Sequence, residues 1–213
     1  MRFDELAHVT TAIESMPSDF HDVEHISFHA PSNIPDGKEA EVVETLMNRV
    51  PESWAIVVHP DVIEDFALWK RLDSRLCIEN MDQRKKTGRT LPELKEIFKK
   101  VPNARFCFDI GHCHQVDPTM TESIRLLVEF RDRLALAHVS EVDYRSHHVP
   151  VTYATFSAFQ YVSEFLRESC PLVIESVMFS DEDDDGDREI MKRIRNEFEK
   201  ITRCFAVGTR MAS

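Results

Sequence analysis

The stretch RFCFDIGHCHQ, residues 105–115, places Asp109, His112 and His114 within six positions directly after an apolar run. A carboxylate followed at once by imidazoles marks either a strand leaving the core for water or a strand end that holds something needing those ligands. Five other apolar runs raise the same question. HISFH (25–29), WAIVVH (54–59), RLCIE (75–79), LALAH (134–138) and PLVIE (171–175) end in His29, His59, Glu79, His138 and Glu175, as RFCFD ends in Asp109. The chain has 38 acidic residues and 10 histidines in 213, so six such endings in six exceed what composition supplies. Lys, Ser, Asn and Thr suit a chain meeting solvent equally well, and they end none of the runs. Three imidazoles and three carboxylates brought together are costly to desolvate unless a cation neutralises them. His with Asp or Glu is a ligand set for Zn²⁺, Mn²⁺ or a related divalent ion.

The runs are continuous in hydrophobicity, as parallel strands buried on both faces are. Amphipathic stretches lie between them. RFDELAHVTTAIESM (2–16) sets Phe3, Leu6, Val9, Ile13 and Met16 on one helical face. TLPELKEIFKKV (90–101) has Thr90 three residues before Glu93, a capping-box signature. ESIRLLVEFRDRL (122–134), SAFQYVSEFLRES (157–169) and a C-terminal helix over about 187–203 complete the series. Repeated alternation of strand and helix predicts an α/β fold with a parallel sheet, open or closed as a TIM-type (β/α) barrel. In such a barrel the C-terminal strand ends share one face, where barrel enzymes carry their active sites. A length of 213 residues suits a single domain, 1–213.

The totals exclude some functions. A balance of 26 basic against 38 acidic residues, net −12, counts against a nucleic-acid partner, since phosphate binding relies on Lys and Arg. Five cysteines without a CxxC pair suit a reducing compartment. No apolar run approaches the roughly 18–20 residues that span a membrane, and MRFDELAHVT lacks a signal-peptide core. The expected location is cytoplasmic. The acidic run SDEDDDGD (180–187) reads as a solvated loop, since its spacing is not that of an EF-hand. Five glycines leave no phosphate-cradling loop.

The ordered set SFHAP, VVHPD, IENMD, FDIGHCH, AHVSE and VIES resembles the xylose-isomerase-like TIM-barrel superfamily over about residues 1–178. That superfamily holds sugar isomerases, ketose epimerases and the AP endonuclease family 2 (endonuclease IV-like) nucleases. The resemblance implies a metal core of Glu79, Asp109, His138 and Glu175. From the nuclease branch it adds His29 and His59, which with a bridging Glu79 complete a second metal, and His112 and His148 as two ligands of a third. Ser146 stands where that branch wants an Asp, and Asp143 is the nearby alternative. The implied cofactor is a divalent metal (Mn, Zn, Co or Mg), one to three ions. The family barrel has eight strands and six are recognisable, so the expectation is a barrel incomplete at its N-terminus, closed with fewer strands or paired with a second copy as a homodimer.

Three functions follow. The first is a metal-dependent isomerase or epimerase acting on a small sugar or sugar phosphate: Glu79 and Glu175 exchange protons with carbon, His112 orients the substrate, and Arg145 and His148 bind it. The second is a zinc phosphodiesterase resembling endonuclease IV. The third is a degenerate, non-catalytic barrel. Cys113 and His114 read as packing groups.

Overall fold

A computed structural model of the chain describes residues 1–14, 16, 23–166, 170–178 and 186–206. A 3-10 turn (Phe3–Glu5) leads into α1 (Leu6–Glu14), then β1 (Ser27–His29), α2 (Glu39–Arg49), β2 (Ala55–Val58), α3 (Phe66–Trp69), β3 (Leu76–Glu79), α4 (Leu91–Lys100), β4 (Arg105–Asp109) and α5 (Ile110–Val116). The series continues with α6 (Thr121–Glu129), β5 (Leu134–Val139), β6 (Glu141–Val142), β7 (His148–Val149), α7 (Tyr153–Ser163), β8 (Leu172–Ile174) and α8 (Asp187–Ala206). The α/β alternation is as expected, and each of the six apolar runs is a strand. The described chain falls into two compact units, Met1–Met81 with Lys85–Cys107, and Asp82–Arg84 with Phe108–Ser213.

In the first unit the strands lie in the order β1-β2-β3-β4. The pairing is parallel, with Phe28 opposite Ile56, Val57 opposite Cys77 and Ile78 opposite Phe106. All four residues of β3 are buried, which is why its sequence runs apolar without alternation. Val42, Val43 and Leu46 of α2 and Leu94, Ile97 and Phe98 of α4 complete the core. Phe98 meets Phe106 edge to face with centroids 6.2 Å apart. Each such side chain contributes about 1.5–3 kcal/mol by leaving water.

One carboxylate is buried here for structural ends. Glu39, at the start of α2, accepts hydrogen bonds from the backbone N–H of Glu64 (2.9 Å) and Asp65 (2.9 Å) and from the Trp69 indole (2.6 Å). It fastens the turn before α3 to α2, and the helix N-terminus favours its charge. Gly88 closes the loop that follows β3: its φ is +84°, its carbonyl accepts from Met81 N at 2.8 Å, and a Cβ would stand 2.5 Å from Pro60 Cγ. No side chain but hydrogen fits there.

The second unit contains the end of β4 and the order β4-β5-β8. β5 and β8 are parallel, with His138 opposite Val173. β6 and β7 form an antiparallel hairpin of two residue pairs, Glu141 with Val149 and Val142 with His148. Buried Glu197 on α8 accepts from Val151 N (2.7 Å), Ser176 Oγ (3.0 Å) and Lys200 Nζ (2.7 Å), joining α8 to the segments before α7 and after β8.

Several local expectations differ from what is found. The helical face expected over 2–16 holds from Phe3 to Ile13, with Leu6 and Thr10 buried and Phe3, Val9 and Ile13 half-buried, but the first turn is 3-10 and Met16 is exposed outside α1. Thr90 does occupy the N-cap of α4 but makes no side-chain cap. Glu93 instead accepts from Arg89 N and the Arg89 guanidinium, both at 2.8 Å, so a salt bridge replaces half of the box. α7 begins at Tyr153, four residues before the expected stretch, and residues 167–169 of that stretch lie outside the described residues. Residues 180–185 of the acidic run lie outside them as well. No cysteine forms a disulfide. Among the described residues no helix is long and apolar enough to cross a membrane.

Replacing Glu39 with Ala strands three donors, two of them in the turn before α3. The expected loss in urea-denaturation stability is about 2–4 kcal/mol; a loss below ~0.5 kcal/mol contradicts the role given to this carboxylate.

Candidate functional site

In the first unit the strand ends bring three candidate residues together. His29 is the last residue of β1, His59 follows β2 directly, and Glu79 ends β3. Parallel pairing in register puts their side chains at one edge of the unit. His29 Nε2 lies 3.2 Å and His59 Nε2 3.5 Å from the same oxygen, Glu79 Oε2. The two rings stand edge to face, centroids 4.8 Å apart at 86°. Glu79 is fully buried.

The tautomer of His29 decides what this geometry needs. Its Nδ1 is 2.8 Å from the Ala30 carbonyl, which can only accept, so Nδ1 carries a proton. In the neutral ring Nε2 then presents a lone pair to a carboxylate oxygen, which is repulsive. A second proton or a cation must sit between them. Two imidazole nitrogens and a carboxylate with ligand atoms within 4.8 Å of one another fit a divalent ion.

In the second unit Asp109 is both the last residue of β4 and the N-cap of α5. Its Oδ1 accepts from His112 N at 2.6 Å, and the side chain is wholly buried. No loop separates strand from helix, and Gly111 makes that turn feasible. A Cβ on Gly111 would stand 2.5 Å from the Ser140 carbonyl oxygen and 2.7 Å from Val142 Cγ2. Around Asp109 stand His138, with Nδ1 4.0 Å from Asp109 Oδ2 and 3.0 Å from Glu175 Oε1, and His148, with Nδ1 3.6 Å from Glu175 Oε2. The His112 and His148 rings are 5.0 Å apart. Ser140 Oγ lies 2.7 Å from His148 Nδ1 and fixes that ring. Two overlapping sets result, Asp109 with His138 and Glu175, and Asp109 with His112 and His148, each with ligand atoms within 4.8 Å of one another. Both mix nitrogen and carboxylate oxygen, as Zn²⁺ and Mn²⁺ sites do.

Arg145 stands apart from these sets on the exposed hairpin turn, its guanidinium 5.2 Å from the centroid of the Tyr144 ring. Asp143 serves the same turn: Oδ1 accepts from Arg145 N (2.8 Å) and His147 N (2.9 Å). His114 packs edge-on against Phe159, and burial lowers its pKa despite Glu141 and Asp117 nearby. Cys113 is buried, and desolvation pushes its thiol up to about 12.

The sequence reading missed Asp82, which is 2% exposed. Burial pushes its carboxyl up, but hydrogen bonds from the Arg84 side chain and backbone, with the charge of His112, outweigh this and hold it below the usual carboxylate range. It accepts from Ser146 Oγ at 3.2 Å. Gln115 was missed too; its side chain reaches Ser146 Oγ and the Asp143 carbonyl. The only signal for either was its position, three residues after a strand-ending Glu and three after His112.

Parallel strands joined through helices, with His, Asp and Glu at their C-terminal ends, are the construction of a TIM-type barrel, and the donor set is one that could hold a metal ion. The chain belongs to the family described as xylose isomerase-like TIM barrel, whose model matches residues 22–197. Among solved structures it is similar to a D-tagatose 3-epimerase-like protein at 16% identity and a TM-score of 0.56, over 95% of this chain and 84% of that one. At that identity the likeness is one of fold. No curated protein matches the sequence.

Gly111→Ala forces the Ser140 carbonyl and α5 apart. The expected cost is about 1–3 kcal/mol, read as a lower melting temperature of the metal-free protein. An unchanged melting temperature contradicts the close approach of α5 to Ser140.

Proposed function

We propose that this protein is a divalent-metal-dependent isomerase or epimerase acting on a small sugar or sugar phosphate. The observation that carries the reading is the set Asp109, His138 and Glu175, from the ends of β4, β5 and β8. Asp109 and His138 are almost wholly removed from water, while the Glu175 side chain keeps 21% exposure. These are three of the four residues that the family resemblance names as the metal core, with Glu79 the fourth. A bound divalent ion supplies polarisation of a substrate carbonyl and hydroxyl.

The chain's own residues do the rest. Asp109, pinned by His112 N, offers its second oxygen as a fixed ligand. Glu175 is the half-buried carboxylate of the set, the more accessible of its two acids, and in this proposal it moves a proton to or from substrate carbon, with Glu79 as its counterpart. His112 orients the substrate. His148, held through Nδ1 by Ser140, binds a substrate hydroxyl or a further ion. Arg145 receives a phosphate or hydroxyl at the hairpin.

A second reading, a metal-dependent phosphodiesterase, is favoured by one observation: His29, His59 and Glu79 form a further donor set that demands a cation or proton. The net charge of −12 opposes it, as does Ser146 in place of a carboxylate.

The test is turnover on a panel of ketoses, aldoses and their phosphates with Mn²⁺, Co²⁺ or Mg²⁺. Glu79→Gln and Glu175→Gln are each expected to lower kcat about 10²–10⁴-fold. Full turnover in either variant overturns the acid/base pair. Metal-dependent nicking of damaged DNA, with no sugar turned over, moves the phosphodiesterase to first place.

A further inference from the structure

We infer that Ser146, Gln115 and Asp82 form a clamp that positions His112 and His148, making the three positioning residues of the site proposed above; the inference rests on that reading for its function and on the second unit alone for its geometry.

The hairpin that carries His148 is short, and outside its turn it is tied by Val177 N, which donates to the His148 carbonyl at 3.2 Å, and by Glu141, which accepts from Thr152 N and Thr155 Oγ1. It consists of two residue pairs, and so short a ribbon is marginal in water on its own. Its turn contains Ser146 at φ 58°, a left-handed conformation that a residue other than glycine adopts at a cost and keeps only when its surroundings enforce it. Within the turn Asp143 contributes, accepting from Arg145 N, Ser146 N and His147 N, and two other parts of the unit add to it. From α5, Gln115 Nε2 donates to the Asp143 carbonyl at 2.6 Å and to Ser146 Oγ at 3.0 Å. Gln115 Oε1 accepts from Gln83 N at 3.2 Å. From the segment Asp82–Arg84, Asp82 Oδ1 takes the Ser146 hydroxyl at 3.2 Å, and Arg84 Nη2 donates to the Ser146 carbonyl at 3.3 Å. Ser146 Oγ thus accepts from Gln115, and its single proton is offered two acceptors, Asp82 Oδ1 at 3.2 Å and Gln115 Oε1 at 3.1 Å.

The clamp sits beside the imidazoles it serves. Gln115 follows His112 by three residues on α5, the spacing that puts two side chains on one helix face. Ser146 lies in the turn two residues before His148, the first residue of β7. Fixing Gln115 to Ser146 therefore fixes α5 against β7, and with it the 5.0 Å separation of the His112 and His148 rings. Ser140 then sets the rotation of His148 from the end of β5. In this scheme Asp82 acts on the hairpin through Ser146 and on His112 through its charge.

Three measurements on metal-free protein and one with cobalt(II) test this in Ser146→Ala, Asp82→Ala and Asp82→Asn. The first two variants are expected to speed amide exchange over residues 141–149 roughly fivefold or more and to shift the imidazole NMR signals of His112 and His148. They are also expected to weaken cobalt(II) binding about 10–100-fold. Asp82→Asn keeps an acceptor oxygen for the Ser146 hydroxyl and retains wild-type exchange over residues 141–149 and wild-type His148 ring signals; the lost charge acts on His112 directly. Wild-type ring signals in Ser146→Ala or Asp82→Ala overturn the clamp, and so does a lower melting temperature without a shift of either ring. If the wild-type protein itself takes up no cobalt, the metal-dependent function fails, while exchange and ring signals still decide whether the clamp exists.

Discussion

A carboxylate removed from water needs positive charge or hydrogen-bond donors close by, and the arrangement of this chain turns on which of the two each buried acid has found. Glu39 and Glu197 found donors: backbone N–H groups, an indole, a serine hydroxyl and a lysine. They are fasteners. Glu79 and Asp109 are buried as deeply or more so, and although Asp109 accepts from His112 N, both acids stand within 4.0 Å of two imidazoles, whose charge depends on a proton or a metal. That difference separates the structural acids of the fold from those of its candidate site.

Asp109 shows how closely the backbone is committed to this placement. It ends β4, caps α5 and lies beside His138 at the same time. A slip of one residue in β4 would turn it to the other face of the sheet and bring Phe108 to the site. Because α5 starts at the next residue, His112 falls over Asp109 without a loop to adjust it. Gly111 is the residue that lets the helix come so near the end of β5. In the first unit the Ala30 carbonyl does comparable work, since it dictates which nitrogen of His29 faces Glu79.

Much of this was legible in the sequence because strands buried on both faces must be apolar throughout. The six runs stood out for that reason, and β4 occupies the five residues expected of it. The residues that end the runs were legible because acids and histidines are conspicuous after four or five apolar positions. What the sequence hid was built from weak local signals. IGHCHQV has a glycine and no strong helical period, so α5 was not foreseen, although Asp109 with a backbone N–H three residues on is a cap. The β6–β7 hairpin has strands of two residues, too short for any alternation to register. Asp82, Gln115 and Ser146 are ordinary surface residue types; only the packing of three separate segments shows that they bond to one another. At Thr90 the signal was present and the side-chain cap was not made, while the Glu93 carboxylate pairs with Arg89 one residue earlier.

The central claim is that imidazoles and carboxylates at the strand ends are a metal site. The most direct measurement is the metal content of protein purified without chelators or a metal-affinity tag, by elemental analysis, compared with Asp109→Asn prepared in the same way. At least one divalent ion per chain in the wild type, reduced in the variant, is the predicted result. A wild-type protein that contains no divalent metal and takes up none on titration would contradict the account.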